Sequence, residues 1–431
     1  MIKVIIMNKI KLDEKSKAAS TVTEQPQAKI PITRPVFGGE EQLAIDAVLK
    51  SGWVVQGPRV QEFEKKVAEF IGCRHAIATT SCTAALHLSL LAAGIGPGDE
   101  VLLPSFTFIA TANAVEYTGA KPVFIDIDLK TFNINPAKIR EYLESLPRNN
   151  PTWPKGLLPV SLFGLSADME AMNALAREFG LVVIEDAACS LGAVRDGRSA
   201  GTEGLAGNFS FHPRKAITTG EGGMVTTSDD TLAAEIRKLR DHGAAKTDLE
   251  RHLQQGGSLL PEYYHLGYNY RMTDIQGAIG AAQMNRLEEI LRGRHEAAER
   301  YDRLLADIPE LTIPFVPDKY HHAYQSYVSL FKADPAWFEN NREVPFEVIT
   351  KNNRERNRLM AALEENGIAV RQGTHAVHTL GYYRQKYGLD DSDYPLSFIA
   401  DRLSVTLPLY YGMTEDEQIR VVTTIKKLLA N

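Results

Sequence analysis

Between Gly98 and Ile184 short apolar runs alternate with amphipathic helical patterns, and few folds satisfy that alternation. The runs are Val101 to Leu103, Pro122 to Ile127, Leu157 to Val160 and Leu181 to Ile184, and the helical stretches are Ala110 to Tyr117, Pro136 to Leu146 and Met169 to Phe179. Continuous apolar runs fit strands buried on both faces, and strands that alternate with helices form βαβ units. The expectation is an α/β fold with a mainly parallel central sheet flanked by helices. Such sheets bind ligands beyond the carboxyl ends of their strands. Two segments fall there: Pro104-Ser105-Phe106-Thr107-Phe108 and Glu185-Asp186-Ala187-Ala188-Cys189. Asp186 ends a run apolar enough to be buried, so its carboxylate needs a partner, either a helix N-cap or a bound cation.

Upstream, helical spacing runs from Gly39 to Lys50 and from Val60 to Ile71, and the loop Ser51 to Pro58 between them is placed to line a pocket. A short strand, Ala76 to Thr80, runs into Ser81-Cys82-Thr83 and a helix from Ala84 to Ala93. A strand that ends in small hydroxyl residues at a helix start offers free N–H groups and a positive dipole end, which suits an anion. Plain N-capping by Ser81 or Thr83 is the simpler reading of those residues alone. Downstream, Asn208 to Thr227 sets Lys215 between two short strands, with Pro213 before it and Gly220, Gly222 and Gly223 after it. The lysine is therefore held on a turn, where the glycines permit backbone angles closed to other residues.

At 431 residues the chain exceeds what a single growing core accommodates. We expect an extension over 1–30, a large domain over 31–285 and a smaller α+β domain over 286–431. A long helical pattern from Thr273 to about Arg303 leads into the second domain. Strands are expected at Tyr327 to Phe331 and Ile368 to Arg371, with helices from Arg354 and Glu415. The polar run Asp334 to Asn357 reads as a solvated insertion. A net charge of −6 argues against nucleic-acid or anionic-membrane partners and favours small molecules. Cys73, Cys82 and Cys189 form no CxxC pair, which favours a reducing, cytoplasmic setting and no metal site. Met1 to Met7 is too short for a signal peptide or membrane span.

A lysine that forms an imine must sit near a carbonyl and be able to lose its proton. The natural cofactor for that chemistry, pyridoxal 5'-phosphate, withdraws electrons only while its ring nitrogen is protonated, so a buried carboxylate must face that nitrogen. An opposite charge a few ångströms away moves a pKa by about one to three units, so Asp186 could keep the ring charged at neutral pH. Ser81 to Ala84 would receive the phosphate, and Phe108 would cover the ring. The combination is far more specific than any of its members.

These residues give the chain its resemblance to the DegT/DnrJ/EryC1/StrS sugar aminotransferases of the fold type I pyridoxal-phosphate class, from about Ile32 to Leu428. The resemblance rests on Ser51 to Pro58, Thr80 to Leu86, Pro104 to Asn113, Glu185 to Ala188, the Lys215 segment and Tyr268-Asn269-Tyr270-Arg271-Met272. It implies that Lys215 carries the cofactor covalently, Asp186 pairs with the ring nitrogen and Phe108 stacks on the ring. It further implies phosphate contacts from Cys82, Thr83, Ser210 and the matching Asn269 of a partner subunit, hence a homodimer with shared active sites. Three positions depart from the family pattern. Glycine is usual where Cys82 stands, so either the turn uses backbone angles open to a residue with a Cβ or the phosphate loop is altered. Cys189 takes a position commonly held by a glutamine or histidine that reaches the cofactor, and Ser161 stands where histidine is usual. A branch that removes a sugar hydroxyl has histidine in place of the lysine, so Lys215 favours amino transfer.

The implied reaction moves an amino group from an amino acid, expected to be glutamate, to a keto group on a nucleotide-linked deoxysugar. The alternatives are a cyclitol-ketone acceptor or a dehydration with the same cofactor. A non-catalytic regulator is disfavoured because Asp186 and Lys215 are both present.

Overall fold

The computed structural model describes residues 28–147, 152–244, 262–263, 265–338 and 346–430. The central sheet has seven strands, β1 (His75–Thr79), β2 (Glu100–Pro104), β3 (Lys121–Ile125), β4 (Gly156–Leu157), β5 (Val182–Asp186), β6 (Ala206–Ser210) and β7 (Gly223–Thr227). Their spatial order is β1-β7-β6-β5-β4-β2-β3. The pairs from β6 through β3 are all parallel, and β7 alone runs against both its neighbours.

Helices cover both faces because successive strand residues point to opposite sides. Leu103 of β2 and Ile184 of β5 join one core with α3 (Cys82–Ala92), α4 (Ile109–Tyr117) and α7 (Asp230–Arg240). Their neighbours Leu102 and Val183 join another core with α5 (Pro136–Ser145) and α6 (Met169–Phe179). Toward the β1 edge, Ala76, Ala78, Phe209 and Met224 pack on α2 (Pro58–Ile71) and α8 (Asp274–Met284). The apolar runs are thus strands buried on two sides, as the alternation required.

Beyond these layers α9 (Leu287–Leu305) serves two cores. Leu287 and Ile290 pack under the large sheet, whereas Ala297, Tyr301 and Leu305 belong to a second core. That second core includes the antiparallel pair Tyr327–Leu330 and Ser404–Leu407, the helix α10 (Phe346–Glu365) and the helix Glu415–Leu429.

The structure corrects several expectations. The single helix over Thr273 to Arg303 is two, α8 and α9, because the chain breaks at Asn285 and Arg286, where the Arg286 guanidinium binds the Glu41 carboxylate and the Val36 carbonyl. Ile368 to Arg371 forms only isolated bridges, Ile368 to Ile30 and Arg371 to Thr406, rather than a strand. The expected insertion Asp334 to Asn357 contains the start of α10, and its Trp337, Ile349 and Arg356 are buried. The expected strand Leu157 to Val160 shrinks to β4 plus one bridge from Val160 to Asp186. Residues 1–27 of the expected extension lie outside the described residues, but Ile30 is buried and hydrogen-bonded to Gly367 and Ala369. Residue 30, counted in the expected extension, is therefore part of the packed second core. The polar, glycine-bearing stretch that follows Arg240 in the sequence, through Gly257, lies largely outside the described residues, which stop at Ala244 and resume at Glu262.

Candidate active site

A cavity of about 650 Å³ opens beyond the carboxyl ends of the sheet strands. Its wall includes Ser81, Cys82, Thr83, Phe108, Asp186, Cys189, Ser210 and Lys215, so eight of the nine expected site residues converge there. Asn269 is the exception. It is exposed, bridges to Asp241, and does not line the cavity of its own chain.

Three strand ends and a turn deliver these groups. Asp186 is the last residue of β5 and is buried, with 5% of its surface exposed. Its expected alternatives were a helix N-cap or a cation. Instead the Thr111 hydroxyl donates to Oδ2 at 2.7 Å and the Ala188 N–H donates to Oδ1 at 3.1 Å. Burial pushes the Asp186 carboxyl above its ordinary value, while Thr111, Ala188 and the positive charge of Lys215 pull the other way.

Lys215 follows β6 by a turn in which its N–H donates to the His212 carbonyl. Its Nζ donates to Cys189 Sγ at 3.1 Å. Burial alone would pull the ammonium down, but Cys189, Cys82 and Asp186 facing it outweigh that and leave it raised. Burial likewise pushes the Cys82 thiol well up.

The anion site and the capping reading are both met at the start of α3. Ser81 is the N-cap, and its hydroxyl accepts from the Ala84 N–H at 3.1 Å. The N–H groups of Cys82 and Thr83 take no acceptor among the described residues and sit at the cavity wall. Cys82 occupies the first helical position without left-handed backbone, so the turn uses angles open to a residue with a Cβ. Gly223 of β7 explains how the turn lies so low on the sheet. A Cβ there would stand 2.3 Å from the carbonyl carbon and oxygen of Ser81.

Phe108 caps α4 at its N-terminus and is 63% exposed, its ring free to cover a ligand in the cavity. Ser161 is buried beside Asp186, but its hydroxyl accepts from the Ala167 N–H and its own N–H holds the Asp186 carbonyl.

Sequence reasoning did not give roles to Thr107 and Thr111, although both lie inside the Pro104 to Asn113 segment. It also missed the far wall, to which Gln325, Arg371, Gln372, Gly373 and Thr406 contribute. Those residues carry no local signal, because they reach the cavity only through the packing of the second core.

The DegT/DnrJ/EryC1/StrS aminotransferase family matches residues 35–426. The chain belongs to that family. The aminotransferase is 38% identical over 400 residues to the spore coat polysaccharide biosynthesis protein SpsC of Bacillus subtilis, which covers 93% of this chain and 97% of that one. It is similar to the crystal structure of a DegT DnrJ EryC1 StrS aminotransferase from Brucella abortus, with a TM-score of 0.78, 31% identity and coverage of 91% of this chain and 96% of the other. It is also similar to DesI, solved in the presence of its TDP-sugar product, with a TM-score of 0.77, 28% identity and coverage of 93% of each chain. The family implies pyridoxal phosphate, and the aminotransferase fits it: the cavity holds a buried carboxylate, an amine and unpaired helix N–H groups on its wall. Among the described residues no helix is long and apolar enough to cross a membrane.

Proposed function

We propose that the enzyme moves an amino group from an amino acid, L-glutamate in our reading, to the keto group of a nucleotide-linked deoxysugar in amino-sugar biosynthesis. The observation that carries this reading is the convergence of Lys215 and Asp186 in one cavity with the start of α3. A relative in spore coat polysaccharide biosynthesis and a similar structure with a TDP-sugar product support the sugar nucleotide as acceptor.

When bound, pyridoxal phosphate supplies an electron sink for the carbon that gains or loses the amino group. Lys215 Nζ holds the cofactor between turnovers and carries the proton that moves during transfer. Asp186 keeps the ring nitrogen charged through a buried counter-charge. The N–H groups of Cys82 and Thr83, with the hydroxyls of Ser81 and Ser210, receive the phosphate. Phe108 covers the ring, and Cys189 orients the lysine through its contact with Nζ.

Asn269 reaches the phosphate of a partner subunit in this reading, which fits its position away from the cavity of its own chain. Exposed Phe37, Leu43, Leu49, Val54 and Val55, on or beside α1 (Gly39–Ser51), supply apolar surface for a second copy. The chain is divided in this account into a large cofactor domain over 31–285 and a smaller one over 286–431.

The two half-reactions test the proposal separately. Glutamate should convert the holoenzyme to its amine form with release of 2-oxoglutarate, and a nucleotide keto-sugar should restore the starting visible spectrum with formation of amino-sugar. An enzyme that accepts amino groups from glutamate but passes none to any nucleotide keto-sugar in a panel would overturn the acceptor. A Lys215→Ala variant that retains both half-reactions at normal rates would overturn the site.

A further inference from the structure

Asp186 is tied to a second hydroxyl behind Thr111. Thr107 Oγ1 lies 2.9 Å from Thr111 Oγ1, which lies 2.7 Å from Asp186 Oδ2. All three side chains are buried: Thr107 is 1% exposed, Thr111 0% and Asp186 5%. An ionised carboxylate only accepts, so the Thr111 proton is directed at Asp186 and its oxygen accepts from Thr107. The direction of the chain is thereby fixed as Thr107 to Thr111 to Asp186.

The fold sets this arrangement rigidly. Thr107 belongs to a two-residue strand, Phe106–Thr107, paired with His375–Ala376, and Thr111 stands in the first turn of α4 four residues later. Ser161, the hydroxyl on the neighbouring bridge, is turned to Ala167. Among the described residues, Thr111 is therefore the one side chain that hydrogen-bonds the Asp186 carboxylate.

We propose that Thr111, backed by Thr107, is a positioning pair that decides where the proton rests between Asp186 and the cofactor ring nitrogen. The proposal rests on the reading that Asp186 faces that nitrogen. A carboxylate that accepts a charge-assisted hydrogen bond is a weaker base, and the second hydroxyl polarises the first. The proton then stays on the ring, as a charged pair. Without the hydroxyl the buried carboxylate gains basicity and draws the proton to itself, leaving the ring neutral. One hydrogen bond to a charged group corresponds to about one to two pH units in that balance.

The experiment is nitrogen NMR of holoenzyme reconstituted with pyridoxal phosphate labelled with ¹⁵N in its ring, recorded across pH. The wild-type resonance should sit at the protonated position, and Asp186→Ala should sit at the unprotonated one. Thr111→Val, which keeps shape but loses the hydroxyl, should move toward the unprotonated position, with its midpoint about one to two pH units lower. Thr111→Ser should restore the wild-type resonance, and Thr107→Val should move in the same direction as Thr111→Val but less. Thr107→Val does not touch Asp186, so it reads the chain even where Thr111→Val binds cofactor poorly. If Asp186→Ala moves the resonance while neither threonine variant does, the positioning pair is overturned and the role of Asp186 stands. If Asp186→Ala leaves the nitrogen protonated, the role of Asp186 is overturned and the proposal with it.

Discussion

Cys189 Sγ accepts a hydrogen bond from Lys215 Nζ at 3.1 Å. The thiol sits one turn beyond the carboxylate that faces the same lysine, so two neighbours on one strand end act on a single amine. Lys215 is raised above its ordinary value although burial pulls it down, and Cys189 is the first of the groups that raise it. Removing the sulfur should therefore let the amine lose its proton at lower pH. Cys189→Ala should shift the pH midpoint for cofactor condensation with the cofactor-free enzyme downward, by about one unit if the contact is worth one ordinary hydrogen bond. The absorbance of the bound cofactor reads this directly. A midpoint that stays in place or rises shows that Cys189 does not tune the lysine.

Gly223 is required by approach rather than by backbone angle. An added Cβ would meet the Ser81 carbonyl carbon and oxygen at 2.3 Å and Cys82 N at 2.5 Å, all of them backbone atoms that cannot swing away. Gly223→Ala should lift the turn at the start of α3 and cost about 1–3 kcal/mol of stability, the range for overpacking. The sharper readout is the cofactor. The melting temperature gained on adding pyridoxal phosphate should shrink in the variant, because the displaced N–H groups are those expected to hold the phosphate. An unchanged gain would separate this turn from the phosphate.

Asp186 and the strand ends were legible because burial on two faces leaves a continuous apolar run, and Leu181 to Ile184 points straight at the carboxylate that follows. Lys215 was legible from the proline and glycines around its turn. Strand direction was not, since an antiparallel β7 among parallel strands has the same apolar pattern as a parallel one. Thr111 looked like any polar residue near a helix start, and only the parallel pairing of β5 with its neighbours brings Asp186 under it. Ile349 and Arg356 were hidden in a charged run: Ile349 lies between the exposed Val348 and Thr350, and Arg356 between the charged Glu355 and the exposed Asn357. Arg371 and Thr406 face each other in a single bridge, a contact between segments far apart in sequence that no local spacing encodes.

His322 and His378 predict how the fold responds to acid. Burial, then the neighbouring His295 and His321, lowers His322 to about 3, and burial lowers His378 to about 4 against the opposing pull of Asp391 and Asp393. Geometry agrees: Nδ1 of His322 accepts from the Tyr324 N–H at 2.8 Å, and Nδ1 of His378 pairs with the Ser105 hydroxyl at 2.6 Å. Both rings are thus held neutral in the folded protein. A group whose pKa falls on folding contributes stability above its unfolded value near 6.5 and loses it as pH falls toward the folded value. Between about pH 6 and pH 4 the pair should cost roughly 2.7 kcal/mol per pH unit, or about 1.4 for each ring. Urea midpoints across this range check it, and His378→Asn should remove about half of the histidine contribution. A variant slope equal to that of the wild type would show that His378 takes up its proton in the folded state.

Asn269 bears on whether one subunit can work alone. Its backbone neighbours Tyr268 and Tyr270 are hydrogen-bonded to Leu239 and Arg240, and their rings stack with centroids 5.1 Å apart, so the asparagine is held outward on a fixed segment. It does not line the cavity of its own chain. If it instead completes the phosphate site of a second copy, Asn269→Ala should weaken cofactor binding by roughly tenfold to a hundredfold, the worth of one hydrogen bond to a charged group. Mixing then becomes diagnostic. In a dimer of Asn269→Ala with Lys215→Ala, one site lacks both groups and the other keeps both. Random exchange of equal amounts should restore about a quarter of the wild-type sites, although neither parent shows them at limiting cofactor. Activity equal to the mean of the two parents after exchange would mean that each subunit builds its site from its own chain.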